Sequence, residues 1–276
     1  MIDIITDSTS DLSPELLERY QIKRLPLSVF VDGKDVKDGD LSLPQLFDAV
    51  QRTGELPKTS AVSVGDFVQA FATPNDAIYI GISSKLSATY QNSVLAAADV
   101  KHKRVAVIDS LNLSTGIGLL VVKAARLRDE GASFDEIVKQ VQCSIPKVHT
   151  SFVIDTLDYL YKGGRCSALA NIFGSLLKIR PVIEVRADGT MGVKEKIGGA
   201  RKRALLSMVE EFKNLLPSID LERVFITHTG CDADAEFLKE MLCNLANIQE
   251  LHITYAGTTI ASHCGPNTIG ILYLMK

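Results

Sequence analysis

The segment Ala77–Ala98, AIYIGISSKLSATYQNSVLAAA, constrains the fold more than any other part of the chain. It opens with six residues, AIYIGI, that are typical of a buried strand, and apolar residues then recur at helical spacing from Leu86 onward. In an open parallel sheet, ligands bind at the carboxyl ends of strands, where the following helix points free N–H groups into the crevice. The segment therefore predicts an α/β fold with an anion site at this junction.

Four hydroxyl residues occupy the junction: Ser83, Ser84, Ser87 and Thr89. Hydroxyls can donate hydrogen bonds to a carboxylate or phosphate without bringing a full charge into the site. Ser83 or Ser84 could instead only cap the helix, because serine is favoured at that position. We expect Ser87 to lie inside the first helical turn, where capping does not account for it.

Composition narrows the classes of function. The 276 residues, 46% of them hydrophobic, are enough for a large core and two domains. A net charge of -3 argues against nucleic-acid binding, which uses a strongly basic face. No apolar run approaches the roughly 20 residues of a membrane span. The opening MIDIITDS is unlike a signal sequence, so we expect a cytoplasmic protein without a membrane span. Five cysteines without a C-x-x-C pair indicate free thiols and no metal site.

The first 100 residues alternate strands and helices. Ile2–Asp7 is predicted as a strand that ends in the hydroxyl-rich run STSD, and Ile22–Val31 as a second strand. The loop 56–64 then carries Thr59, Ser60 and Ser63. Ser63 has Asp66 at capping-box spacing and is expected to cap a helix, whereas Thr59 could either cap or face a ligand.

The second half of the chain changes character. We place a domain boundary near residue 149, giving an N-terminal α/β domain (1–149) and a C-terminal mixed α/β domain (150–276). The C-terminal part is predicted to contain the turn KGGR at Lys162–Arg165, an apolar helix ending at Leu177 and a hairpin that turns at Asp188–Gly189.

The segment from Lys178 to Arg203 is locally basic. It holds eight basic and three acidic residues, a balance of +5 in a chain that is acidic overall. Such a run can be a solvated face, or it can steer an anionic ligand or an acidic partner.

Two histidines are candidates for ligand contact. His263 precedes Cys264, Gly265 and Pro266, so we place it in a loop, where it could contact a ligand or serve only the loop. His228, at the end of a predicted strand, is interpreted as structural.

Six sequence strings, taken together and in this order, resemble the DegV family over the whole chain: TDSTSDL (6–12), KTS (58–60), SSKLSATYQNS (83–93), IDS (108–110), KGGR (162–165) and SHCGPNTIG (262–270). The resemblance implies two α/β domains with a long apolar pocket between them, which holds a long-chain fatty acid as ligand and needs no cofactor. It also implies a partner, a separate fatty acid kinase with a dihydroxyacetone-kinase-like nucleotide domain, which makes an acyl phosphate for phospholipid synthesis.

By motif position, the resemblance assigns the fatty-acid carboxylate to Thr59, Ser87 and His263. The residues expected nearby, or in partner docking, are Arg165, Arg201, Ser60 and Ser84. The chain departs from the family pattern at Ala88, where glycine is usual, and at Asn267, where glycine or a small polar residue is usual; KTS is also followed by Ala-Val in place of Gln-Pro.

Two other functions stay open from the residues alone. Ser87 as nucleophile with His263 as base would make an acyl-transfer enzyme or hydrolase acting on a lipid, although no G-x-S-x-G motif surrounds Ser87. Phosphate binding at the strand ends is the second, although Gly116 and Gly118 lack the third glycine of a dinucleotide fingerprint.

Overall fold

The computed structural model describes residues 1–166 and 179–276. The strands are β1 Ile2–Asp7, β2 Lys23–Leu25, β3 Ser28–Val31, β4 Lys34–Lys37, β5 Lys58–Ser60, β6 Asp76–Gly81, β7 Val105–Asp109, β8 Val148–Val153, β9 Ile179–Val185, β10 Met191–Gly198, β11 Ile219–His228, β12 Glu250–Tyr255 and β13 Ile269–Met275. The helices are α1 Pro14–Arg19, α2 Leu43–Thr53, α3 Val64–Phe71, α4 Thr89–Ala98, α5 Thr115–Asp129, α6 Phe134–Ser144, α7 Asp158–Lys162, α8 Arg201–Leu215, α9 Asp232–Leu245 and α10 Thr258–Cys264. The predicted helix ending at Leu177, and Lys178 of the basic segment, lie outside the described residues.

The N-terminal part is built on a parallel sheet with the order β2-β1-β6-β7. Successive side chains of β1 and β6 pack on opposite faces, so Ile4 and Ile78 contact one core while Ile5 and Tyr79 contact another. Helices α3 and α4 cover the second face. The apolar runs of β1 and β6 follow from burial on both faces, as in other parallel sheets.

Helix α5 lies between the parallel sheet and a six-stranded sheet with the order β10-β9-β8-β13-β11-β12. Its residues from Thr115 to Val122 are all buried, and its core includes Phe152 and Leu272 from the six-stranded sheet. The other face of that sheet is covered by α8 and α9. The predicted parallel and mixed sheets, and the α/β fold class, are confirmed.

A three-stranded sheet with the order β4-β3-β5 corrects one prediction. The single strand expected over Ile22–Val31 is wrong, because β2 joins the parallel sheet and β3 joins this small one. The chain changes sheets at Pro26, which cannot donate to a strand ladder. Leu27 follows, with its N–H bonded to Ser8 Oγ at 3.1 Å.

Helix caps and tight turns are predicted from the sequence more reliably than the sheet that each strand joins. The capping box predicted at Ser63 is confirmed, and a second box is present at Ser42. The hairpin at Asp188–Gly189 is also confirmed, and Gly189 has a φ of 82°. The division at residue 149 falls at the start of β8, the first strand of the six-stranded sheet, and stays a prediction. Among the described residues, no helix has the length and apolar character needed to cross a bilayer.

Candidate functional site

A cavity of about 210 Å³ opens where the three sheets approach one another. Its apolar wall includes Leu27, Ile82, Leu86, Leu113, Met191 and Ile260. Its polar wall includes Thr59, Ser60, Ser87, Arg165, Thr259 and His263. Five of the seven residues expected in or near the site therefore border one cavity, although they come from segments far apart in the sequence.

The hydrogen bond between Thr59 and His263 defines the polar end. Thr59 lies on β5, paired with Val29 of β3, and its Oγ1 is 2.8 Å from Nε2 of His263 on α10. His263 does not lie in a loop as predicted; it occupies the last turn of α10. The Gly265–Pro266 pair that suggested a loop is the stop signal of this short helix, and Gly265 is the residue at which it ends.

The environment of His263 keeps its ring neutral. Burial lowers the pKa of His263 to about 4, and the nearby positive charge of Arg165 contributes to this lowering. Nδ1 is buried and has no hydrogen-bond partner among the described residues. A proton on Nδ1 would be an unsatisfied donor, so the tautomer that donates from Nε2 to Thr59 is favoured. In that tautomer the hydroxyl proton of Thr59 is free to donate into the cavity.

Ser87 precedes α4, so its expected place inside the first turn is wrong. The helix begins at Thr89, and its N-cap residue, Ala88, makes no side-chain cap. Ser87 Oγ accepts the N–H of Thr89 at 3.2 Å and shares a hydrogen bond of 2.9 Å with Thr89 Oγ1. This local turn holds the half-buried Ser87 hydroxyl at the cavity wall ahead of the helix.

Ser83 and Ser84 do not cap α4 either, because the loop before the helix is longer than the sequence pattern suggested. Ser83 is fully buried, and its Oγ donates to the carbonyl of Gly189 at 2.8 Å, which ties the β9–β10 turn to this loop. Ser84 is exposed, its N–H donates to Asp109 at 3.2 Å, and it does not border the cavity.

The KGGR turn packs against the loop that carries Ser87 and against the ring of His263. Arg165 is largely exposed, donates from Nε to the carbonyl of Leu86 at 3.4 Å, and so lies beside the loop that carries Ser87. A Cβ at Gly163 would come within 2.7 Å of both His263 Nδ1 and the carbonyl of Tyr159. Glycine is therefore required for the end of α7 to pack against the imidazole.

Arg201 lies apart from the described cavity wall. It begins α8, and its guanidinium pairs with Asp234 at 2.6 Å and donates to the carbonyl of Asn267 at 2.6 Å. The Nδ1 atom of His228 accepts the N–H groups of Gly230 and Cys231, which agrees with the structural role interpreted from the sequence.

Thr259 is a cavity residue that the sequence analysis missed. It lies one helical turn before His263, and its hydroxyl oxygen is buried without a partner among the described residues. The sequence places a threonine four residues before the histidine, but this spacing puts both side chains on one face only if the segment is a helix.

The family model described as "Uncharacterised protein, DegV family" matches residues 1–276. This chain belongs to the DegV family. A DegV domain-containing protein of Caldanaerobacter subterraneus subsp. tengcongensis is 37% identical over 284 residues, covering 100% of this chain and 99% of the relative. Another, from Clostridium acetobutylicum, is 34% identical over 283 residues, again covering 100% of this chain and 99% of the relative.

Two solved DegV structures share the fold. A DegV family protein from Thermus thermophilus, described for its fatty acid binding, has a TM-score of 0.92 at 28% identity, covering 100% of this chain and 99% of that one. DegV from Bacillus subtilis, described as a fatty acid binding protein, has a TM-score of 0.88 at 28% identity with the same coverage. The predicted family and fold are confirmed.

Two departures from the DegV pattern lie at the site. Ala61, the first residue of the Ala-Val that follows KTS, borders the cavity and is half-buried. Ala88 borders the cavity and is exposed, so its methyl group adds to the wall beside Ser87. Asn267 does not border the cavity; it adopts a φ of 57° and its amide lies 3.4 Å from Asp155.

We predict that His263 in this DegV protein does not titrate between pH 5.5 and 8, as NMR of the ring protons would show. A histidine with a lowered pKa binds fewer protons in the folded state than in the unfolded state at mildly acidic pH. Its contribution to stability is therefore present above the unfolded pKa, near 6.5, and is lost as the pH falls through the folded pKa.

Removing the Arg165 charge tests whether that charge contributes, alongside burial, to the lowered pKa of His263. Arg165→Gln should raise the pKa of His263, whereas Lys162→Gln, which removes a neighbouring exposed charge paired with Asp158, should leave it unchanged. A wild-type His263 that titrates near its ordinary value contradicts this description of the site.

Proposed function

We propose that this DegV protein binds one long-chain fatty acid, with the acyl chain in the cavity and the carboxylate held by Thr59, Ser87 and His263. The observation that carries the proposal is the Thr59–His263 hydrogen bond at the polar end of an otherwise apolar cavity. The bond orients a neutral donor from Thr59 toward the place where a carboxylate would lie.

The energetics suit an acyl ligand. Burying about fifteen methylenes contributes on the order of 12 kcal/mol at roughly 0.8 kcal/mol each, before the costs of ordering. The hydroxyls of Thr59 and Ser87 can donate to a carboxylate, and the neutral His263 orients the hydroxyl of Thr59. This arrangement needs no buried counter-ion, whose desolvation would offset much of the gain.

The apolar wall continues inward from the first cavity. A smaller cavity of about 20 Å³ shares Leu113, Ile260 and Cys264 with it, and reaches Phe152 and Leu272 of the six-stranded sheet. An acyl chain entering at Thr59 would therefore run along α10 toward the core between α5 and the six-stranded sheet.

The geometry favours a carrier over an acyl-transfer enzyme. His263 Nε2 bonds to Thr59 and Ser87 Oγ bonds to Thr89, so they do not form a nucleophile–base pair. No described carboxylate contacts His263 Nδ1 to orient the ring. The Cys264 thiol beside the cavity also stays protonated, because burial raises its pKa to about 12.

Relatives support the ligand, and the family resemblance supplies the partner. Proteins 28% identical to this chain, from Thermus thermophilus and Bacillus subtilis, are described as binding fatty acid. We propose that this chain acts in the cytoplasm, needs no cofactor, and presents its fatty acid to a separate fatty acid kinase for acyl-phosphate formation.

Native mass spectrometry of freshly purified protein tests the proposal. We expect an added mass of one fatty acid per chain, released intact by solvent extraction. A covalent acyl adduct would favour the enzyme alternative. Trace lipid together with no uptake of added fatty acid would contradict fatty-acid binding.

Variants at the polar end should weaken fatty-acid binding while leaving the fold intact. We expect Ser87→Ala and His263→Ala each to cost about 1 to 3 kcal/mol of binding free energy, because the carboxylate loses a donor or the donor's orientation. Isothermal titration with a fatty acid measures the change, and Ser84→Ala, at an exposed position outside the cavity wall, is the control. Esterase turnover that disappears in Ser87→Ala would instead favour the enzyme.

The two arginines should separate lipid binding from kinase docking. In Arg165→Ala and Arg201→Ala we expect normal lipid content but a phosphorylation rate reduced several-fold, and more strongly at raised salt, because positive charge docks an acidic partner. Asp234→Asn is the matched control for Arg201, since it removes the closer of two ion-pair partners, Asp234 at 2.6 Å and Asp155 at 3.8 Å, and keeps the cation. Unchanged rates would leave Arg165 with a solvated surface role and Arg201 with only its structural bonds to Asp234 and Asn267. Lost lipid would move both arginines into the binding site.

A further inference from the structure

Two buried carboxylates hold the start of α10, the helix that carries His263. Asp11 Oδ1 accepts the N–H of Gly257 at 2.8 Å, and Asp38 Oδ1 accepts both the N–H and the hydroxyl of Thr258 at 2.8 Å. Asp11 is 5% exposed and Asp38 is 3% exposed. The N-cap residue, Gly257, has no side chain of its own, so these remote carboxylates take over the cap.

Each carboxylate is itself fixed to a segment that lines the cavity. Ser114 Oγ, next to Leu113, donates to Asp11 at 2.6 Å. Ser8 Oγ donates to Asp38 at 2.8 Å and accepts the N–H of Leu27 at 3.1 Å. Leu113 and Leu27 both border the cavity. The two carboxylates thus fix the position of α10 relative to the segments that carry Leu27 and Leu113.

Glycine at 257 is matched to this arrangement. A Cβ there would lie 2.8 Å from Asp38 Oδ1 and 2.9 Å from Oδ2, closer than side chains approach in folded proteins. Its φ of -67° is open to any residue, so the constraint at Gly257 comes from the carboxylate and not from the backbone.

The two negative charges are placed where a helix favours them. The positive end of the α10 dipole and its free N–H groups face Asp11 and Asp38, which offsets part of the cost of burying them. Burial still raises the pKa of Asp11 well above its ordinary value, and the charge of Asp38 raises it further. The pair is costly to bury, so packing alone does not account for it.

We propose that Asp11 and Asp38 are positioning residues for fatty-acid binding, which hold α10 so that His263 meets Thr59. His263 follows Thr258, the first residue of the helix, by five positions, or about 7.5 Å along the axis of a short rigid helix. A displacement of the helix start is therefore transmitted to the 2.8 Å bond between His263 and Thr59. The inference rests on the fatty-acid function proposed above.

The test uses Asp11→Asn, Asp38→Asn and Gly257→Ala, compared with Asp3→Asn. Asp3 bonds to Lys23, Thr73 and Asn75 at the other end of β1 and serves as the control for a lost carboxylate. We expect the variants of Asp11, Asp38 and Gly257 to bind palmitate about three- to tenfold more weakly than the wild type. They should also shift the His263 ring signals in NMR spectra of the unliganded protein. Asp3→Asn should do neither.

A double variant separates positioning from general destabilisation. Asp38→Asn combined with His263→Ala should bind palmitate no more weakly than His263→Ala alone, because Asp38 acts through His263. Additive losses of palmitate affinity in the double variant would overturn the inference. Unchanged His263 signals in folded variants of Asp11, Asp38 and Gly257 would do the same. If the wild type binds neither palmitate nor any other long-chain fatty acid, the proposed function fails, while the His263 signals still decide whether the carboxylates position the ring.

Discussion

The site depends on one hydrogen bond between residues 204 positions apart, Thr59 and His263. Thr59 is fixed by a small antiparallel sheet, and His263 by a seven-residue helix whose start is held by remote carboxylates. Neither element is long enough to be stable alone, since short helices and isolated hairpins are marginal in water. The bond therefore forms only when the N-terminal and C-terminal parts of the chain are packed together.

Electrostatics at this bond explain why a binding role fits better than catalysis. A neutral histidine that is already bonded to a threonine can orient a donor, but it is poorly placed to take a proton from a serine bonded elsewhere. Positive charge is kept at the rim, on the exposed Arg165, where it lowers the pKa of His263 without being buried itself. In the proposed function, carboxylate binding and partner docking thus use different groups.

The sequence predicts much of the fold because β1 and β6 are short apolar runs and because apolar residues recur at helical spacing from Leu86 into α4. It misses the sheet change at Pro26 because an apolar run does not reveal which sheet each half joins. Residue type makes Thr59, Ser87 and His263 candidates, but only the family strings assign all three to one carboxylate, since hydroxyl-rich loops are also typical of caps. The sequence does not reveal α10, and with it Thr259, because a Gly–Pro pair is also typical of a loop. It does not reveal that Asp11 and Asp38 bond to the start of α10, because contacts over 220 residues or more leave no local pattern.

The most direct test of the account is NMR of the protein with a fatty acid that carries 13C at its carboxyl carbon. One bound carboxyl resonance should appear at equimolar ligand, with shifts confined at first to the signals of Thr59, Ser87 and the His263 ring. In Thr59→Val, which keeps the shape and removes the hydroxyl, that resonance should weaken or move. A bound carboxyl resonance that leaves the His263 ring signals unchanged, or that is the same in Thr59→Val, would contradict the central claim.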